Sequence, residues 1–212
     1  MTRVDLQDAA ARSILIMIAA AGPTAFPLAE MGYGSLSLLA RILILPSVII
    51  LTVTALALRR RFGDELAKAI CRGAAAGALA TLALEAFRYS GFRLGYMPGN
   101  LPRLMGVLLL DRFALGPSSL SDLAGFAYHF WNGAAFGIIF ALLFRGRGRW
   151  WAVPYGLVIG VGFMVSPVVQ ALGGGYFGVE FGWRFAATVL LAHAAYGLGL
   201  GLLVNKPELR KG

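Results

Sequence analysis

Six stretches of the chain stay mostly apolar for about 20 residues, the length of an α-helix that crosses a bilayer. They run over about 9–29, 36–58, 65–89, 120–144, 150–172 and 181–204. Inside lipid every backbone N–H and C=O must be bonded within the segment, so these stretches can only be helices packed on helices. The expected fold is all-α, a polytopic bundle of six transmembrane helices. The alternative is five, if the first segment is cleaved or only dips into the membrane. Pro23 and Pro27 interrupt that segment, and Ala19-Ala20-Ala21 imitates a signal-peptide cleavage site. Asp5 and Asp8 dilute the positive region a signal peptide needs, which favours an uncleaved helix. Pro46 is expected to kink the second helix.

Composition agrees. Residues are 58% hydrophobic and 14% charged, against about 25% charged in soluble domains. The partner this implies is the lipid bilayer. The net charge of +9 does not point to nucleic acid. Arg59 to Arg61, the trio Arg145, Arg147 and Arg149, and the trio Lys206, Arg210 and Lys211 sit at the ends of apolar segments, not in one continuous basic patch. Read as topology signals, they place both termini in the cytoplasm of a bacterial-type inner membrane. Arg88, Arg93, Arg103, Arg112 and Arg184 then fall on the outer side. Trp150 and Trp151 fit an interfacial aromatic belt.

The chain reads as a single transmembrane domain, 1–212. Two membrane segments occupy 1–64, a first hairpin 65–144 with a long outer loop 90–119, and a second hairpin 145–212. Within the loop, Leu101 to Phe113 is apolar but too short to span, which predicts an interfacial or re-entrant helix. Such a helix either caps an outer-facing site or merely connects.

The two hairpins resemble one another. His129, Gly133 and Gly137 read H-x-x-x-G-x-x-x-G, as do His193, Gly197 and Gly201, and these are the only histidines. Each such helix follows one with two glycines four apart, Gly73 and Gly77 in one case and Gly156 and Gly160 in the other. Small residues at this spacing let helix backbones approach closely in lipid. The stripe Gly73-Gly77-Thr81-Glu85 carries Glu85 toward the bundle, and the histidine stripes do the same for His129 and His193. An ionisable group in a membrane helix is a functional candidate whose partner should be named. Glu85, His129 and His193 are expected in one outer-half layer, with Asn132, Tyr128 and Tyr196 nearby and Gln170 above.

Several readings of this polar site stand side by side. Histidine beside a carboxylate suits a proton- or ion-linked permeation site or a site for a small solute. Pro46 and Pro167 supply helix breaks for it. Two histidines on parallel helices suit axial ligation of a b-type haem, with Arg88 or Arg184 at its propionates. His129, His193 and Glu85 are also ligand types for a zinc or iron ion. Finally, the histidines can serve packing alone, in a scaffold subunit of a larger membrane complex or a homo-oligomer. Cys71 is the only cysteine, so cysteine-based metal and haem-attachment motifs are excluded. No G-x-S-x-G elbow, Walker A loop or D-x-x-x-D pair occurs, so no enzymatic reaction is indicated.

The run Arg72-Gly-Ala-Ala-Ala-Gly-Ala-Leu-Ala-Thr81, followed by Glu85 and the two H-x-x-x-G-x-x-x-G segments, resembles small bacterial inner-membrane proteins of the YagU-like type. The resemblance covers helices three to six. It implies a membrane fold and brings no reaction, cofactor or catalytic residue.

Overall fold

The computed structural model describes residues 3–59 and 65–204. Arg60, Arg61, Lys206, Arg210 and Lys211 of the terminal charge clusters lie outside the described residues. Eight helices follow in order: α1 Arg3–Glu30, α2 Leu36–Arg59, α3 Glu65–Arg93, α4 Leu101–Leu109, α5 Ser119–Leu143, α6 Ala152–Met164, α7 Pro167–Ala171 and α8 Trp183–Val204. No strand occurs among the described residues. Among the described residues six spans are long and apolar enough to cross a membrane: α1, α2, α3, α5, α8 and the stretch Arg149–Ala171 that holds α6 and α7. The protein is a multi-pass helical membrane protein. Many large apolar side chains, among them Ile49, Val53, Leu82, Leu123, Val158 and Leu191, point outward, as they must where the solvent is hydrocarbon.

The prolines act differently in each helix. α1 continues through Pro23 and Pro27. In α2 the helix widens to a π-turn at Ala40–Ile44 just ahead of Pro46, which relieves the clash between a proline ring and the carbonyl four residues back. Ser47 Oγ donates to Ile44 O (2.8 Å) beside it. The fifth span breaks outright at Pro167. Ser166 is extended, at ψ 157°, as the residue before proline prefers.

The last four spans form the core. α3 packs on α5 and on α8, and α8 packs on α6. The ring closes where Tyr155 of α6 donates to Phe136 O of α5 (2.9 Å) and packs on Phe140, with centroids 5.3 Å apart. Lipid tails are as apolar as leucine, so close approach rather than hydrophobic burial holds such helices together. Glycine makes the approach. A Cβ on Gly73 would stand 2.6 Å from Gly137 O, and one on Gly77 would overlap Gly133 O. In the second hairpin a Cβ on Gly156 would overlap His193 O, and one on Gly197 would overlap Ala152 O.

These contacts shift the register of the repeat. Gly133 meets Gly77 and Thr81, whereas its equivalent Gly197 meets Ala152 and Gly156. Gly156 therefore corresponds to Thr81 rather than to Gly73, about two helical turns from the sequence pairing. Glycines recurring every four residues look alike under a shift by whole turns, which is why the sequence pairing slipped. In the shifted register Glu85 corresponds to Gly160. Each is the residue facing the histidine of its partner helix.

α4 lies across the end of α5. A Cβ on Gly106 would overlap Ser121 O, and one on Gly125 would overlap Pro102 O. Arg103 Nε donates to Asp122 Oδ1 at 3.0 Å. Ser118 and Ser121 form a reciprocal cap at the start of α5, satisfying donors that would otherwise be orphaned.

Candidate functional site

α1, α3, α5, α6 and α8 wall a cavity of about 460 Å³. Met97, Leu101 and Met105, before and within α4, cover one end of it. The opposite end is filled by a cluster that includes Ala76, Ala80, Phe140, Tyr196 and Leu200. His129, Asn132 and His193 line the cavity, and so do Thr81, Arg88 and Ser166. Most of the remaining wall is aliphatic or aromatic, with Leu84, Phe136, Ile159 and Phe163 among its members.

Glu85 anchors the polar side. Its carboxylate accepts from Arg88 Nε at 2.5 Å and from Arg88 Nη2 at 2.7 Å. His129 Nε2 lies 2.8 Å from Glu85 Oε1, an ion-pair distance outside hydrogen-bond geometry. The antiparallel close packing of α3 on α5 sets this meeting: Thr81 against Gly133 places Glu85, one turn on, against His129, one turn back. Arg88 shares the face of α3 that carries Glu85 because three residues make nearly one turn.

By sequence Arg88 counts among the outer-side charges, at the end of the third segment. α3 runs on to Arg93, so Arg88 stays inside the helix and is only 5% exposed. The signal was present as the three-residue spacing from Glu85. Arg88 Nη1 has no partner, and neither has Asn132 Oδ1 or Ser166 Oγ. A buried polar atom left unbonded costs roughly 1–3 kcal/mol, and three on one cavity wall point to a bound molecule or ordered water.

His193 lines the same cavity without joining the Glu85 pair in a three-residue cluster. Its ring packs on Gly160, where a Cβ would lie 3.0 Å from the His193 Cβ and Cγ, and faces Phe163 at a centroid distance of 6.3 Å. His193 Nδ1 is 2.8 Å from Val189 O. That contact needs a proton on Nδ1, which leaves Nε2 of the neutral ring as an acceptor. Tyr128 donates to Gly22 O at 2.8 Å and Tyr196 to Gly133 O at 2.7 Å, so both hydroxyls tie helices together. Gln170, expected above the site, is exposed and donates to Val165 O at 3.1 Å.

Arg184, the other arginine paired with a haem reading, is exposed, with its guanidinium 5.2 Å from the Tyr96 ring centroid. Ligation of haem iron by His129 Nε2 would break its contact with Glu85. Among the described residues no group of three or more His, Cys, Asp or Glu converges as a metal site, because His193 does not join Glu85 and His129. Trp150 and Trp151 lie at the surface beside Arg149 and Arg147, whose guanidinium carbons stand 5.2 and 5.6 Å from the respective ring centroids, consistent with an interfacial belt.

Comparisons with protein-family models, curated proteins and solved structures return no match for this chain.

Proposed function

We propose that this protein binds a small molecule inside the membrane, in the cavity walled by Arg88, His129, Asn132 and His193. The observation that carries the reading is Arg88, 5% exposed and on the cavity wall, with Nη1 unpartnered while its other nitrogens hold Glu85. Ligand sites are typically largely apolar concavities of about 300–1,000 Å³ with a few convergent polar groups, and this cavity has that character. Binding is the primary event. Passage of the same solute across the bilayer requires in addition that one covered end open. The YagU-like resemblance carries no reaction and adds none.

The same reading puts the protein in a bacterial-type inner membrane with both termini in the cytoplasm. Arg88 does not count toward the outer loop once it is inside α3, which enlarges the positive bias of the cytoplasmic side.

Native mass spectrometry of protein released from nanodiscs tests the binding reading. Wild type should carry a non-protein mass that Arg88→Met and Asn132→Leu lack. Bare polypeptide mass from wild type, in a preparation with intact helical signal, would overturn it.

A further inference from the structure

The cavity is open toward lipid. α1 packs on α2 and α5 and meets α7, but it does not pack along α6. Thr24 of α1 and Val158 and Gly162 of α6 all line the cavity, and all three are exposed. Nothing stands within 4 Å of where a Cβ on Gly162 would be. Val158 lies nine residues into the span that begins at Arg149, or roughly 13 Å along the helix. The gap is therefore at hydrocarbon depth, while both ends of the cavity are covered.

The polar atoms specify what sort of head group fits. Arg88 Nη1 is a donor without an acceptor, and Asn132 Oδ1 an acceptor without a donor. His193 Nε2 is a second acceptor, since Nδ1 is committed to Val189 O. The Arg88 charge is already matched by Glu85. An anionic head would sit against the Glu85 carboxylate and a cationic one against Arg88. A neutral head that both accepts and donates fits this set: a hydroxyl accepts from Arg88 Nη1 and gives its one proton to either Asn132 Oδ1 or His193 Nε2. The rest of the wall suits a hydrocarbon body.

We infer that the cavity takes a long-chain alcohol from the bilayer, admitted sideways between α1 and α6, with its hydroxyl among Arg88, Asn132 and His193. The inference rests on the binding reading above and adds ligand class and route.

Thermal unfolding in phosphatidylcholine nanodiscs tests it, with dodecanol, dodecanoate, dodecyltrimethylammonium and glycerol as probes. Dodecanol should raise the Tm of wild type saturably, by about 5 °C or more at a hundredfold excess over Kd. It should leave Arg88→Met and Asn132→Leu unmoved. Gly162→Trp, which fills the gap from an exposed position, should also lose the response. Equal stabilisation by dodecanoate or by the cation would overturn the neutral-head assignment, and an undiminished response in Gly162→Trp would overturn the lateral route. If glycerol stabilises in an Arg88-dependent way and dodecanol does not, the ligand is water-borne, so this inference falls while the binding reading stands. If no probe acts and native mass spectrometry shows bare protein, both fall.

Discussion

His129 Nε2 of α5 lies 2.8 Å from Glu85 Oε1 of α3, and Arg88 grips the same carboxylate from within α3. One buried carboxylate is thus shared between a guanidinium and an imidazole at the edge of an apolar cavity. The strength of that arrangement lies in its completeness: removing one member strands another.

Glu85→Leu should destabilise the fold by about 3–5 kcal/mol, because it leaves Arg88 charged and unpaired in a buried position. The double variant Glu85→Leu/Arg88→Met should recover most of the loss, since an apolar pair of similar volume carries no desolvation penalty. Denaturant unfolding in detergent micelles measures both. Simple addition of the two single-variant losses would show that the pair does not act as a unit.

The glycines should separate into two kinds. Gly77→Ala and Gly156→Ala force a Cβ onto a facing backbone carbonyl, and overpacking of this sort costs about 1–3 kcal/mol. Gly162→Ala meets open space and should be neutral or stabilising by up to about 1 kcal/mol, from reduced freedom of the unfolded chain. Tm values of the three variants check the order.

Tyr128→Phe should have a small effect. The lost bond to Gly22 O joins α5 to α1, yet intramembrane hydrogen bonds average only about 0.6 kcal/mol. A Tm drop matching more than about 2 kcal/mol would mean that this hydroxyl also organises the neighbouring Asn132.

The number and type of spans were legible because length and hydrophobicity alone decide them in lipid. That Glu85 and His129 each face another helix was legible too, since both lie on small-residue stripes; that they meet was not, because the stripes do not say which helices are neighbours. Arg88 was not legible either. Its place depends on α3 continuing to Arg93, and an arginine near the end of an apolar run reads equally well as a topology signal. His193 lines the same cavity as His129 but forms no three-residue cluster with it and Glu85. Its neighbours are Gly160 and Phe163, and the four-residue glycine period hides a register shift of whole turns. The role of α1 as a cavity wall was hidden by Pro23 and Pro27, which weaken the sequence signal for a helix that the structure nevertheless completes.

Topology gives a separate test. With Cys71 replaced by serine, a cysteine at Leu115, which is 73% exposed beyond α4, should react with an impermeant maleimide on intact bacterial cells. A cysteine at Gly148, exposed in the turn between α5 and α6, should react only after the membrane is permeabilised. The reverse pattern would invert the orientation.

The most direct measurement is a cryo-electron microscopy map of the protein in lipid nanodiscs, read in the cavity between Arg88, Asn132 and His193. The account predicts continuous non-protein density there, ending within hydrogen-bond distance of Arg88 Nη1. Isolated water peaks bridging the three side chains, or a cavity closed by repacking of α1 against α6, would contradict it.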